Sequence, residues 1–233
     1  MRLNELYMAV QGEGTWLGTP ALFIRLHGCP VHCAWCDTAF TWDGTEKGEE
    51  LAISEIGHRA FKLAPWCHHF VVTGGEPLVH SHLPELVEQL DSGPTDARVV
   101  EIETAGIAPP PPMKETLGCH VHWNVSPKLP SAHAKILPDH AILKRWKELD
   151  GKSTSVAFKF VVGTDEDLAQ ARALVATCEI PSNLVYLMPE GFTREAHARN
   201  LAWLLEEVVR QRLAGVRVTP RMQVAAYDKK RGV

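Results

Sequence analysis

Apolar positions along the chain recur with two periods. Short apolar runs at 6–10, 21–26, 70–73, 99–104, 121–125, 156–162, 184–188 and 216–219 predict strands. Between several of them apolar residues return every three to four positions, as on a helix face. A modest helix is predicted from Ser54 to Leu63, and a second carries Leu83, Leu86, Val87 and Leu90 on one side. A third, over 166–177, would be capped by Asp165, and the longest opens at Thr193 and runs to about Leu213. Glycine-bearing turns at 11–14, 18–20 and 74–77 punctuate the pattern, a polar stretch runs from Thr38 to about Glu50, and the prolines at 109–112 allow only a loop or a polyproline segment.

Strands alternating with helices predict a parallel sheet with right-handed crossovers. A complete (β/α)8 barrel takes ~250 residues, and this chain has 233, too few for eight full units. The expected fold is therefore α/β, an incomplete (partial) TIM-like barrel of about six parallel strands with missing or shortened helices. No linker interrupts the pattern, which predicts one domain over 1–233.

Composition narrows the function classes. The chain is 45% hydrophobic, enough for a substantial core, and its net charge of −4 implies no basic face for nucleic acid. Lys229, Lys230 and Arg231 read as a solvated basic tail. There is no apolar leader after Met1, and no run approaches the ~18 apolar residues of a membrane span, so a soluble, cytoplasmic protein is expected. The twelve histidines, including His68, His69, His80 and His82, show no ligand spacing and read as surface or packing residues. Cys67, Cys119 and Cys178 are far apart, as isolated thiols are in a reducing compartment.

The other three of the six cysteines are the informative ones. Cys29, Cys33 and Cys36 fall within eight residues as C-x3-C-x2-C, in the loop 28–38 that leaves the second strand. A structural zinc or an ordinary electron-transfer cluster takes four protein ligands, so three thiolates with no fourth cysteine nearby suggest a metal centre whose coordination is left open. A Cys3His zinc site completed by His27 or His32, or merely packed thiols, are the competing readings.

The spacing, with Trp35 before the last cysteine, resembles the radical S-adenosylmethionine (SAM) family. In that family three cysteines hold a [4Fe–4S] cluster and the fourth iron chelates SAM. The turn Gly74-Gly75-Glu76 before Pro77 is similar to the motif that meets the SAM amino group there. A closer resemblance joins Gln11-Gly12-Glu13-Gly14, Arg25 within 23–26, Trp35-Cys36-Asp37-Thr38, 73–77, Glu103-Thr104 and 124–128. Together these resemble the 7-carboxy-7-deazaguanine synthase family, radical SAM lyases that act on 6-carboxy-5,6,7,8-tetrahydropterin with loss of ammonia, on the route to 7-deazapurines of the queuosine type.

The resemblance implies a set of roles. Cys29, Cys33 and Cys36 would hold the cluster, and Thr38 a Mg²⁺ shared with substrate. SAM would be met by Trp35, Cys36, Asp37, Gly74, Gly75, Glu76, Glu103, Ser126, Pro127 and Lys128, and by a late loop at Met188, Pro189, Glu190 and Gly191. The pterin would be met by Val10, Gln11, Gly12, Glu13, Arg25 and Thr73, with Arg25 able to fork onto its carboxylate. An electron donor such as flavodoxin or ferredoxin and a homodimer are also implied, with neither nucleic acid nor a membrane as partner. One departure stands out. Where many members end in a Gln-Thr-His-Lys segment that reaches the substrate, this chain has Met222-Gln223-Val224 and the basic tail. A glycyl-radical-enzyme activase and a non-enzymatic iron–sulfur or zinc carrier remain as alternatives.

Overall fold

The computed structural model describes residues 1–93, 98–149 and 153–233. Its strands, in chain order, are β1 (Arg2–Val10), β2 (Pro20–Leu26), β3 (Glu49–Glu50), β4 (His69–Gly74), β5 (Val99–Thr104), β6 (His120–Val125), β7 (Thr154–Val162), β8 (Val185–Pro189) and β9 (Arg217–Val218). They form one sheet in the order β3-β1-β2-β4-β5-β6-β7-β8-β9. From β2 through β9 neighbouring strands run parallel. The β1 strand lies outside the parallel set, because it pairs antiparallel with β2 and with β3. The connection 11–19 is short enough for a return hairpin, whereas a parallel crossover needs a dozen or more residues.

The helices are α1 (Ile53–Leu63), α2 (Leu83–Asp91), α3 (His140–Lys147), α4 (Asp165–Thr177), α5 (Arg194–Arg210) and α6 (Met222–Tyr227). No described helix links β5 to β6, as expected for a barrel with reduced helices. The cap of α4 is Thr164, not Asp165: the Thr164 hydroxyl accepts from the Asp167 amide at 3.1 Å, and Asp167 returns a bond from the Gly163 amide. Thr193 caps α5 as expected, but the helix ends at Arg210. The sequence pattern did not disclose α3 and α6, which are only 8 and 6 residues long.

The strands are apolar on one face, while the other mixes polar and charged side chains with a small apolar patch of Ala21, Phe23 and Val71. Leu22, Ile24, Leu26, Phe70, Val72, Val100, Ile102, Trp123, Val125, Phe158 and Phe160 join the main core beneath Ile56, Leu86, Trp146, Leu168 and Leu204 of the helices. The intervening residues, Arg25, Thr73, Glu101, Glu103, Asn124 and Lys159, point to the other face because strand side chains alternate. Register sets them in a row: Glu5 is opposite Arg25, Arg25 opposite Thr73, and Glu103 opposite Asn124. The helices thus cover one side of the sheet and leave its charged side to line a cavity. No described helix is long and apolar enough to cross a membrane.

Candidate active site

A cavity of about 760 Å³ opens over the polar face of the sheet. One wall is backbone. The cysteine loop leaves β2 through Gly28, whose φ of 99° is accessible to glycine. The Gly28 amide donates to the Thr41 carbonyl, and its own carbonyl accepts from the Glu76 amide at 2.8 Å. A Cβ on Gly75 would overlap that carbonyl, and one on Gly74 would overlap the backbone of Leu26. The two glycines therefore let the turn after β4 lie directly against the start of the cysteine loop, and Gly74, at φ 137°, also needs the freedom of glycine. The far side of the loop is fixed by Ala34 donating to Ala132 and Lys135 donating to Val31, both at 2.8 Å.

Cys29, Cys33 and Cys36 all line this wall, and none is in a disulfide. Trp35, Asp37, Thr38, Ser126 and Lys128 line it too, the Lys128 ammonium lying 5.7 Å from the Trp35 ring centre and donating to Ser126 Oγ. The Glu76 carboxylate is buried and accepts from Thr104 Oγ1 at 2.6 Å and from the amides of Ala105 and Leu78 at 2.7 and 3.0 Å. It therefore ties the turns after β4 and β5 together, and burial pushes its pKa up against those bonds. Thr38 precedes a one-turn 3-10 helix without capping it; its hydroxyl makes two long contacts, 3.4 Å to the Gly74 carbonyl and 3.7 Å to Cys36 Sγ.

The opposite wall and the floor are ionic. Glu13 accepts from Lys159, from Arg221 at 3.3 Å and from Gln223 at 2.7 Å. Although burial pushes the Glu13 carboxyl up, Lys159 and Arg221 hold it down at about 2. Beside it, burial and the neighbouring charges of Glu13 and Glu101 raise the pKa of Glu103 against the pull of Lys159. Glu103 accepts from Thr73 Oγ1 at 2.8 Å and from Gln11 Nε2 at 3.3 Å. Below the floor, Glu101 is buried and bound by Gln11, His69 and Asn124 at 3.0, 3.0 and 3.2 Å. His69 is thus a buried partner, not a surface residue. Arg25 is 14% exposed and donates through Nε to Glu5 at 2.6 Å and through Nη2 to the Tyr7 hydroxyl at 2.8 Å.

The structure gathers nearly all the residues picked from the sequence around this one cavity. Val10, Gln11, Gly12, Glu13, Arg25, Thr73, Gly74, Gly75, Glu103, Met188, Glu190 and Gly191 also line it; Pro127 and Pro189 sit at strand ends beside it without forming its wall.

Matches to known proteins agree with this arrangement. Residues 23–127 match the family model described as Radical SAM superfamily. A protein of Pyrobaculum aerophilum named 7-carboxy-7-deazaguanine synthase is 36% identical over 232 residues, spanning 100% of this chain and 97% of the relative. The chain belongs to the 7-carboxy-7-deazaguanine synthase family. A second family member, from Rhodopirellula baltica, is 31% identical over 99% of this chain and 88% of its own length. The crystal structure of QueE from Escherichia coli superposes with a TM-score of 0.66 at 26% identity, covering 94% of this chain and 92% of that one. Streptococcus suis SuiB bound to S-adenosylmethionine, at 12% identity and a TM-score of 0.54, shares the fold alone.

A radical SAM enzyme of this family carries a [4Fe–4S] cluster and SAM, and the residues present fit both. Three soft thiol donors edge one open cavity, and the two histidines considered as a fourth zinc ligand are engaged elsewhere. His27 Nδ1 lies 2.9 Å from Asn4 Oδ1, and the His32 ring stacks on Trp42 at 4.2 Å. Among the described residues no three His, Cys, Asp or Glu side chains draw together to hold a single ion. Burial pushes the Cys29 and Cys33 thiols up, so loading the cluster must release their protons.

Sequence reasoning missed three groups that build the ionic side of the cavity. Lys159 sits in a strand read only as apolar, yet its alternation with Phe158 and Phe160 marks it as facing the other way. Arg221 gave no signal; it joins Glu13 to Asp37 and donates to the Gly191 carbonyl at 3.2 Å. The basic segment is the third. It is exposed to solvent as expected, yet it is tied down: 228–233 line the cavity, and Arg231 is ion-paired to Glu5 and Glu46.

Proposed function

We propose that this protein converts 6-carboxy-5,6,7,8-tetrahydropterin to 7-carboxy-7-deazaguanine with loss of ammonia, in 7-deazapurine biosynthesis of the queuosine type. The observation that carries the reading is the two-walled cavity, with three thiols and a double-glycine turn on one side and Arg25 above a carboxylate floor on the other. When bound, the cluster and SAM supply a 5′-deoxyadenosyl radical that removes a hydrogen atom from the substrate.

The chain's own residues do the rest. Cys29, Cys33 and Cys36 ligate iron, and the backbone of Gly74 and Gly75 can approach the SAM amino group closely because no side chain stands between. Lys128, held by Ser126, and Trp35 form the neighbouring surface. Arg25 points a planar, permanently charged fork at the substrate carboxylate. Glu103, given to SAM by the resemblance, is bound by Thr73 and Gln11 on the ionic floor, and in this reading it accepts N–H groups of the pterin edge instead. Lys159 and Arg221 keep Glu13 charged and fixed, so the floor does not reorganise during reaction. Thr38 offers a hard oxygen to Mg²⁺, an ion that often takes one protein ligand plus water and substrate oxygens. Its hydroxyl has only weak contacts to give up. The same reading takes 1–233 as one catalytic domain, active in the cytoplasm as a homodimer and reduced by a flavodoxin or ferredoxin.

The test is anaerobic cluster reconstitution followed by assay with the carboxytetrahydropterin, SAM and a reductant. Formation of 7-carboxy-7-deazaguanine is expected and should be stimulated by Mg²⁺. SAM cleavage with no conversion of the pterin would contradict the reading.

A further inference from the structure

Three cations on the ionic side of the cavity are already paired within the protein. Lys159 and Arg221 are held by Glu13, and Arg25 by Glu5. A substrate carboxylate that approaches Arg25 therefore comes up beside Glu5, whose side chain is 15% exposed and whose charge is poorly screened by water. Something must hold Glu5 when the guanidinium turns to the newcomer.

That group is present. Glu5 uses one oxygen for Arg25, at 2.6 Å, and the other for Arg231 Nε, at 2.5 Å. The remaining nitrogens of Arg231 donate to both oxygens of Glu46 at 2.7 and 3.1 Å, and its guanidinium lies 3.5 Å from the centre of the Phe40 ring. The chain Glu46, Arg231, Glu5, Arg25, Tyr7 is thus a continuous run of alternating charge ending in a hydroxyl. Its two arginines balance its two carboxylates. Without Arg231 the run carries one surplus negative charge before any substrate arrives, and Arg25 is the sole counter-ion Glu5 has left in it.

We propose that Arg231 is a positioning residue which holds the charge of Glu5, so that the fork of Arg25 is free to take the carboxylate of the substrate. The proposal rests on the reaction put forward above. It assigns the segment after α6 a part in selecting a carboxylated substrate over the same ring without its carboxylate. Glu5 is a competitor for Arg25, and Arg231 weakens that competition.

Binding of two probes to reconstituted, SAM-loaded protein separates this role from a merely structural one. The probes are 6-carboxytetrahydropterin and tetrahydropterin, which lacks the carboxylate, and the variants are Arg231→Met, Glu5→Gln and the two combined. A hydrogen bond to a charged group changes affinity by roughly tenfold. Arg231→Met should therefore raise the dissociation constant of the carboxylated probe roughly tenfold and leave the other within about twofold. Adding Glu5→Gln removes the competing charge and should restore most of the loss. The thermal midpoints of the cluster-free proteins, measured in parallel, should stay close to wild type for Arg231→Met. Equal weakening of both probes, or a double variant no better than Arg231→Met alone, would overturn the proposal. So would wild-type binding that Arg231→Met leaves unchanged. Wild-type protein that binds the carboxylated probe no better than the other would overturn the assigned substrate first, and this role with it.

Discussion

The two walls of the cavity are built by different physics. The cysteine wall is built on backbone: Gly28, Gly74 and Gly75 bring two turns into van der Waals contact, amide bonds lock them, and the turns carry three short thiols. The ionic wall is made of long charged side chains, Lys159, Arg221, Arg25 and Arg231 against Glu13, Glu5 and Glu46, contributed by segments up to 226 residues apart in sequence. A backbone wall is specified by short local motifs and tolerates no added atom. An ionic wall can be rebuilt from different residues as long as charges balance, and here the segment after β9 supplies two of its arginines.

The sharpest way to break this contrast is to add one methyl group to the backbone wall. Gly75→Ala would press a Cβ against the Gly28 carbonyl, which cannot move without displacing the cysteine loop. Overpacking of this kind costs about 1–3 kcal/mol, and the displaced loop should lose its cluster. Iron content after reconstitution should fall severalfold while circular dichroism stays native. Normal iron loading would show that the two turns do not depend on each other.

On the ionic wall a single deletion should act through charge. Lys159→Met leaves Glu13 buried with Arg221 as its remaining cation, a change that costs about 3 kcal/mol when a buried pair is broken. The pH dependence gives the sign. Glu13 is held at about 2, below the ordinary carboxylate value of 4.5, so its contribution to stability is present above pH 4.5 and lost as pH falls toward 2. In Lys159→Met that depression is weakened, so its thermal midpoint should fall less than that of wild type between pH 5 and pH 3. Melting curves that shift in parallel over this range would mean that Lys159 does not set the charge of Glu13.

The smallest effect is expected where the two walls meet. Thr38→Ala should keep the cluster and SAM binding but lose the stimulation of turnover by Mg²⁺. Stimulation as strong as in wild type would make Thr38 a turn residue.

The same contrast explains what could be read from the sequence. Cys29, Cys33, Cys36 and the Gly74-Gly75-Glu76 turn were legible because backbone geometry confines their chemistry to a few adjacent positions. Alternating strands and helices disclosed the partial barrel, but an antiparallel β1 needed the shortness of the 11–19 connection to be weighed. Lys159 was hidden inside an apolar run, since period-two alternation shows a buried lysine only if the opposite face is known to be a cavity. Arg221 and Arg231 were not legible at all. Their partners lie 184 and 226 residues away, and a basic cluster beside no apolar pattern looks like a solvated tail.

The account turns on an open iron at the backbone wall, and low-temperature paramagnetic resonance of the reduced, reconstituted protein tests that most directly. The account predicts a [4Fe–4S] signal that changes when SAM is added and is absent in Cys29→Ala, Cys33→Ala and Cys36→Ala. Protein that takes up stoichiometric zinc and no iron, or a cluster whose signal is indifferent to SAM, would contradict it.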